Sequence, residues 1–183
     1  MKKLMVIQVL LVFFAMTSCN NSQPKADKAI AEDSISVVET DSIAAFESFC
    51  EHFSKTSAFA YTEMSGRKVL LVSQETFGND EITDLEAIEA SIFALDEQCK
   101  IVALGSIRSQ GTLYPVSLLD GKLMVAGHQF VKVYSIRGDL PELVLDSYEE
   151  GESPKLTEMF KTFEQGIPIK FERRNKVSSA EKN

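Results

Sequence analysis

The chain has 183 residues, 44% of them hydrophobic, and a formal net charge of −8. The acidic balance excludes an electrostatic footprint for nucleic acid, which needs clustered Lys and Arg, and gives no basic surface for anionic head groups. The hydrophobic share is enough for a core, and the length suits one domain with extensions.

Lys2 and Lys3 precede a run from Leu4 to Met16 that is apolar except for Gln8, and Thr17, Ser18 and Cys19 follow. A charged start, an apolar stretch and small residues before a cut site describe a secretory signal peptide. As a helix the run reaches about 20 Å, whereas a hydrocarbon core of roughly 30 Å needs about 20 residues, so a stable transmembrane span is not expected. Ala15-Met16-Thr17-Ser18-Cys19 resembles a bacterial lipobox, with Met16 where the commonest form carries Leu. The resemblance is confined to the start of the chain. It implies that Cys19 receives a diacylglycerol thioether, that residues 1–18 are removed and that the new amino terminus is acylated. The competing reading is an ordinary signal peptide cut near Ala15, with Cys19 a plain thiol. Loss of Lys2 and Lys3 would take the charge to −10, so lipid rather than basic residues would hold the bilayer. Several acyl chains at about 0.8 kcal/mol per buried CH₂ suffice for that. The expected location is the cell envelope, at the outer membrane, with the face open.

Residues 19–40 are polar and acidic with few large apolar side chains, too few to offset the entropy of ordering. They read as a tether, spanning roughly 25 Å as a flexible chain. A single α+β domain over residues 41–174 and a disordered tail over 175–183 are expected to follow. The first element is an amphipathic helix from about Asp41 to Lys55, with Asp41 as N-cap. Ile43, Phe46, Phe49, Cys50 and Phe53 recur on its apolar face. A strand runs over Lys68–Ser73, Phe77-Gly78-Asn79-Asp80 breaks the chain, and residues 81–90 favour a short helix by composition.

From Ser91 the pattern becomes β. Residues 92–95 and 100–104 flank a turn at 96–99, where Cys99 stands in a position that often carries Gly to reach positive φ. Residues 114–119 and 122–126 flank Asp120-Gly121, a type I′ hairpin signal. Strands at Phe130–Ile136 and Leu143–Asp146 flank a turn at Arg137-Gly138-Asp139. Ser153 and Pro154 read as N-cap and first residue of a second helix, with Leu156, Met159, Phe160 and Phe163 inward and Gly166 as its stop. A final edge strand covers Ile167–Glu172. The expected fold is thus two helices packed on an antiparallel meander of about six to eight strands. Residues 114–145 also resemble one blade of a β-propeller repeat, and residues 92–104 part of another. A propeller needs at least four blades of about 40 residues, so the likeness is taken as shared hairpin chemistry.

Once Cys19 is lipidated, Cys50 and Cys99 form the one candidate disulfide, against the alternative of two separate thiols. No metal site and no cofactor are expected: there is no HExxH, CxxC, Walker loop, GxGxxG or GxSxG pattern. His52 reads as a helix-surface residue. His128 is the one candidate general base, with no nucleophile beside it by motif. The acidic run Asp146–Glu152 lacks EF-hand spacing and reads as a solvated loop. Lys170, Arg173, Arg174 and Lys176 form a small basic end. Three functions compete. The first is a non-enzymatic binding or interaction module whose partner is an envelope protein, a peptide or a glycan. The second is a structural or stress-related envelope lipoprotein, and the third an envelope hydrolase with an unrecognised acid or histidine site.

Overall fold

Two tight turns organise the domain. Ser65-Gly66 and Asp120-Gly121 all have positive φ (50°, 78°, 49° and 69°), the backbone of two-residue hairpins that match strand twist. The turns also touch: Ser65 N donates to Gly121 O at 3.0 Å, and Ile136 N donates to Ser65 Oγ at 3.3 Å. A Cβ on Gly121 would sit 3.3 Å from Ser65 N, so glycine is required there by conformation and by close approach. The computed structural model describes residues 42–79 and 82–174. Cys19, the tether and the tail from residue 175 lie outside the described residues.

A first helix, α1, covers residues 42–50. The strands are β1 (Ala58–Met64), β2 (Arg67–Ser73), β3 (Thr76–Phe77), β4 (Glu86–Ala87), β5 (Glu89–Leu95), β6 (Ile101–Arg108), β7 (Ser117–Leu119), β8 (Lys122–Gly127), β9 (Phe130–Arg137) and β10 (Glu142–Glu150). Helix α2 (Pro154–Phe163) and the short strands β11 (Ile167–Pro168) and β12 (Glu172–Arg173) complete the chain. The strands form two five-stranded antiparallel sheets, ordered β12-β1-β2-β5-β6 and β10-β9-β8-β7-β11, and β3 pairs β4. The domain is therefore mostly antiparallel sheet with two helices. The sheets share one core, in which Met64, Leu71 and Ile92 of the first meet Leu123, Val125 and Ile136 of the second. Phe46 and Cys50 of α1 cover the outer face of the first sheet over Phe59, Leu70 and Val72. Leu156 and Phe163 of α2 cover the second over Met124, Ala126 and Val131.

The single meander expected from the sequence is thus two meanders that face each other. Alternation shows that a strand has two unlike faces, not which sheet receives it. β7–β10 form a four-strand antiparallel run that lies against β1, β2, β5 and β6 in a common core. The helix expected over residues 81–90 is absent: Glu86–Ala87 and Glu89–Leu95 are strands. Ala87 and Ala90 have no exposed surface and lie in the inter-sheet core, where small side chains let neighbouring layers approach, and packing overrides helix propensity. β1 carries little strand signal for a related reason, because Ala58 and Ala60 supply its inward face. α1 stops before Lys55: Glu51, His52 and Phe53 each donate a backbone bond three residues back, a tightening common at helix ends. The run after Asp146 is not a loop, since β10 extends through Glu150.

The final strand divides. Ile167 and Pro168 pair with Leu118 and Ser117 of the second sheet. The chain then crosses, and Glu172 and Arg173 pair with Phe59 and Ala58 of the first. Between them Ile169 and Phe171 are buried in the shared core, and Phe171 exchanges backbone bonds with Leu85 at 2.7 and 3.0 Å. This strap ties the two sheets together. α2 begins as expected: Ser153 Oγ accepts from Leu156 N at 2.9 Å, ahead of Pro154. Gly166 serves a different purpose from a positive-φ stop. A Cβ there would lie 3.0 Å from Phe163 O and 3.2 Å from the Ser117 side chain, so glycine lets the strap approach β7.

Asp146 pins the second sheet. It pairs with Arg137 and, at 3.1 Å, with Lys122, and accepts from Ser135 Oγ at 2.9 Å. Burial pushes its carboxyl up, but the Ser135 hydroxyl, Lys122 and Arg137 outweigh this and leave it below the usual carboxylate range. A folded pKa below the unfolded one stabilises above the unfolded value, about 3.9, and that contribution is lost as pH falls through the lower, folded value. Asp146→Asn should therefore lower stability by about 1 kcal/mol at neutral pH and flatten the acid limb of a stability–pH curve from chemical denaturation. An unchanged acid limb would count against this assignment.

Candidate functional site

The sequence placed its one candidate base at His128. The structure puts His128 on the exposed turn between β8 and β9, with Nδ1 3.4 Å from Tyr114 Oη. A shallow depression beside it is bordered by Glu152, Ser153 and Thr157. Ser153 Oγ already caps α2, so that hydroxyl is committed to structure. Among the described residues no group of three or more His, Cys, Asp or Glu side chains is placed to hold a metal ion. No helix among them is long and apolar enough to cross a membrane.

The candidate bridge is not formed: Cys50 and Cys99 are both free thiols. Cys50 faces the first sheet from α1, with 3% of its surface exposed. Cys99 is exposed in the β5–β6 turn, at φ 57°, the positive φ that its position in the turn suggests. Burial pushes the Cys50 thiol up, partly offset by Tyr61, whose Oη lies 3.8 Å from Sγ, and by Arg174. A raised pKa leaves little thiolate at neutral pH. With Cys19 replaced by Ser, alkylation at neutral pH should show one fast thiol, abolished by Cys99→Ser, and Cys50 slower by about a hundredfold or more until the domain unfolds. Equal rates would refute the burial argument.

A larger concavity lies elsewhere, along α1. It is a groove of about 900 Å³ between α1 and the outer edge of the first sheet. Ala44, Glu47, Ser48 and Glu51 form one wall, at the three- and four-residue steps that place side chains on one helix face. Ala60 and Tyr61 of β1 form the floor, and the strap from Lys170 to Arg174 forms the other wall. A second depression of about 500 Å³ shares Glu51, Phe59 and Arg174 with it and continues under the end of α1. Beyond Tyr61 an apolar niche of about 190 Å³ is lined by Ile43, Phe46 and Val69. Tyr61 stands at the centre, 48% exposed, its hydroxyl pushed up to about 12 by burial and by the Cys50 thiol. It is therefore a neutral hydrogen-bonding group at neutral pH.

The charges on this groove are unevenly satisfied. Lys170 pairs with Glu86 at 2.8 Å and Asp84 at 3.3 Å. Arg173 donates to Thr76 Oγ1 at 2.7 Å, and Arg174 lies over the Phe59 ring at 5.7 Å. Glu47, Glu51, Glu63 and Glu172 are exposed and make no ion pair among the described residues. The sequence singled out Lys170, Arg173 and Arg174 as a basic end but did not join them to α1, because the strap's crossing places them there. Compared with protein-family models, curated proteins and solved structures, the chain matches none.

Proposed function

We propose that this is a lipid-anchored cell-envelope protein whose domain is a non-enzymatic interaction module, with the groove along α1 as its contact surface. The observation that carries the reading is the groove itself: a cleft of about 900 Å³ with an exposed tyrosine, an adjoining apolar niche and carboxylates without ion-pair partners among the described residues. Pockets that mix apolar walls with a few convergent polar groups are the usual binding sites. His128, by contrast, is exposed on a turn, with Tyr114 Oη as its hydrogen-bonding neighbour. The anchor is Cys19, and residues 19–40 give the domain reach from the bilayer. The partner class is an envelope protein or peptide.

A photo-crosslinking residue at Glu47, in the groove, and another at Glu158, on the exposed side of α2, test this in intact membranes. One discrete adduct from Glu47 and none from Glu158 is expected. No adduct from either position, or the same adducts from both, would refute the groove as a contact surface.

A further inference from the structure

We propose that the open outer edge of β1 is completed by an extended, cationic peptide strand, so that recognition occurs by strand addition to the first sheet. This rests on the interaction-module reading and specifies its partner chemistry. The Ser65-Gly66 turn closes the Met64–Arg67 pair, and in a two-residue hairpin that pair exchanges both backbone bonds. Such pairs alternate along an antiparallel ladder. Thr62, Ala60 and Ala58 therefore direct their N–H and C=O groups toward β2, while Glu63, Tyr61 and Phe59 direct theirs outward. β12 covers only Phe59 and Ala58. The ladder stops there: among the described residues Tyr61 has no backbone partner at Lys170. Among the described residues no strand or side chain pairs with the outward backbone groups of Tyr61 and Glu63.

An unpaired edge is a template for another strand, and peptides are commonly bound in this way, with alternate side chains entering neighbouring pockets. Here the pocket is the groove between α1 and the strap, and the niche beside Ile43 and Phe46 accepts an apolar side chain. The charge of the occupant follows from what is already neutralised. Lys170 is paired with Glu86 and Asp84 and Arg173 is bonded to Thr76, so Arg174, over the Phe59 ring, faces Glu47 on α1, Glu51 just beyond it, Glu63 on the edge itself and Glu172 opposite, none of which has an ion pair among the described residues. Lys or Arg side chains on the incoming strand answer these carboxylates, and the negative field of the whole chain steers a cation toward them.

The test uses the full chain solubilised from membranes in nonionic detergent, with a labelled peptide alternating Lys and Val as probe and fluorescence anisotropy as readout. Saturable binding is expected. A Glu–Val peptide, and a Lys–Val peptide of equal charge interrupted by proline, should each bind at least about tenfold more weakly, since one loses the charge match and the other the backbone bonds. Tyr61→Pro removes an outward N–H without touching the β1–β2 ladder, as proline tolerates an edge, and should weaken binding by about tenfold. Should that variant fail to fold, hydrogen exchange on the unaltered chain gives the same answer: the Tyr61 and Glu63 amides must slow on adding the Lys–Val peptide. Equal binding of the proline-interrupted peptide, absence of saturation, or amides at Tyr61 and Glu63 already protected in the free chain would overturn strand addition. The last result would mean that another part of this chain or a second copy occupies the edge. Failure here with the Glu47 crosslink intact removes the strand mode and leaves the module; loss of both removes both.

Discussion

Phe171→Ala should lower the stability of the domain by about 3–5 kcal/mol, the usual cost of emptying a phenylalanine site in a core. For a domain of this size that is a fall in Tm of about 10 °C or more. Phe171 has no exposed surface and is packed in the core common to both sheets, at the point where the strap passes from one to the other. The lost volume therefore faces two layers, neither of which can close the gap without moving the strap. Ile167→Ala is the matched control. It lies in the same strap but is 74% exposed, and should change stability by less than about 0.5 kcal/mol. Thermal unfolding of both variants separates a core effect from a general sensitivity of the segment. Comparable losses in the two would refute the role given to Phe171.

The second large effect concerns location. Cys19→Ser should move the protein from the membrane fraction to the soluble envelope fraction, and labelling with a palmitate analogue should disappear with it. Removing several acyl chains at about 0.8 kcal/mol per CH₂ removes the whole anchoring energy, and an acidic chain has no electrostatic attraction to anionic lipid to replace it. The competing sequence readings give different outcomes. An ordinary signal peptide cut near Ala15 leaves both proteins soluble. An uncut apolar segment leaves both on the membrane. Either result would refute lipidation at Cys19.

Local features that depend on one or two residues were legible in the sequence. Asp120-Gly121 announced its turn, Cys99 stands at the positive φ its position suggested, and Ser153-Pro154 began α2. Each is a case in which backbone conformation or capping restricts residue choice. Features that depend on the neighbour were not legible. Ala58, Ala60, Ala87 and Ala90 are core residues because another layer lies against them, and alanine carries no sign of that. Ile167, Ile169 and Phe171 alternate as one strand would, yet serve two sheets. The groove shares this dependence. Tyr61 and Glu63 matter because β12 stops short of them, and Glu47 and Glu51 because the strap forms the wall opposite them. The basic end was visible as a composition, and its counterpart on α1 as a helix face; only the fold makes them two walls of one cleft.

The strap also dictates an order of events. Its residues are among the last of the domain to be synthesised, yet they supply the edge partner of β1, the first strand. The core cannot be sealed until the strap has been made, because Ile169 and Phe171 belong to it. Long-range closure of this kind delays folding until the whole domain is present. On the proposed export to the envelope, that delay would keep the chain threadable through a translocation channel until the strap has emerged.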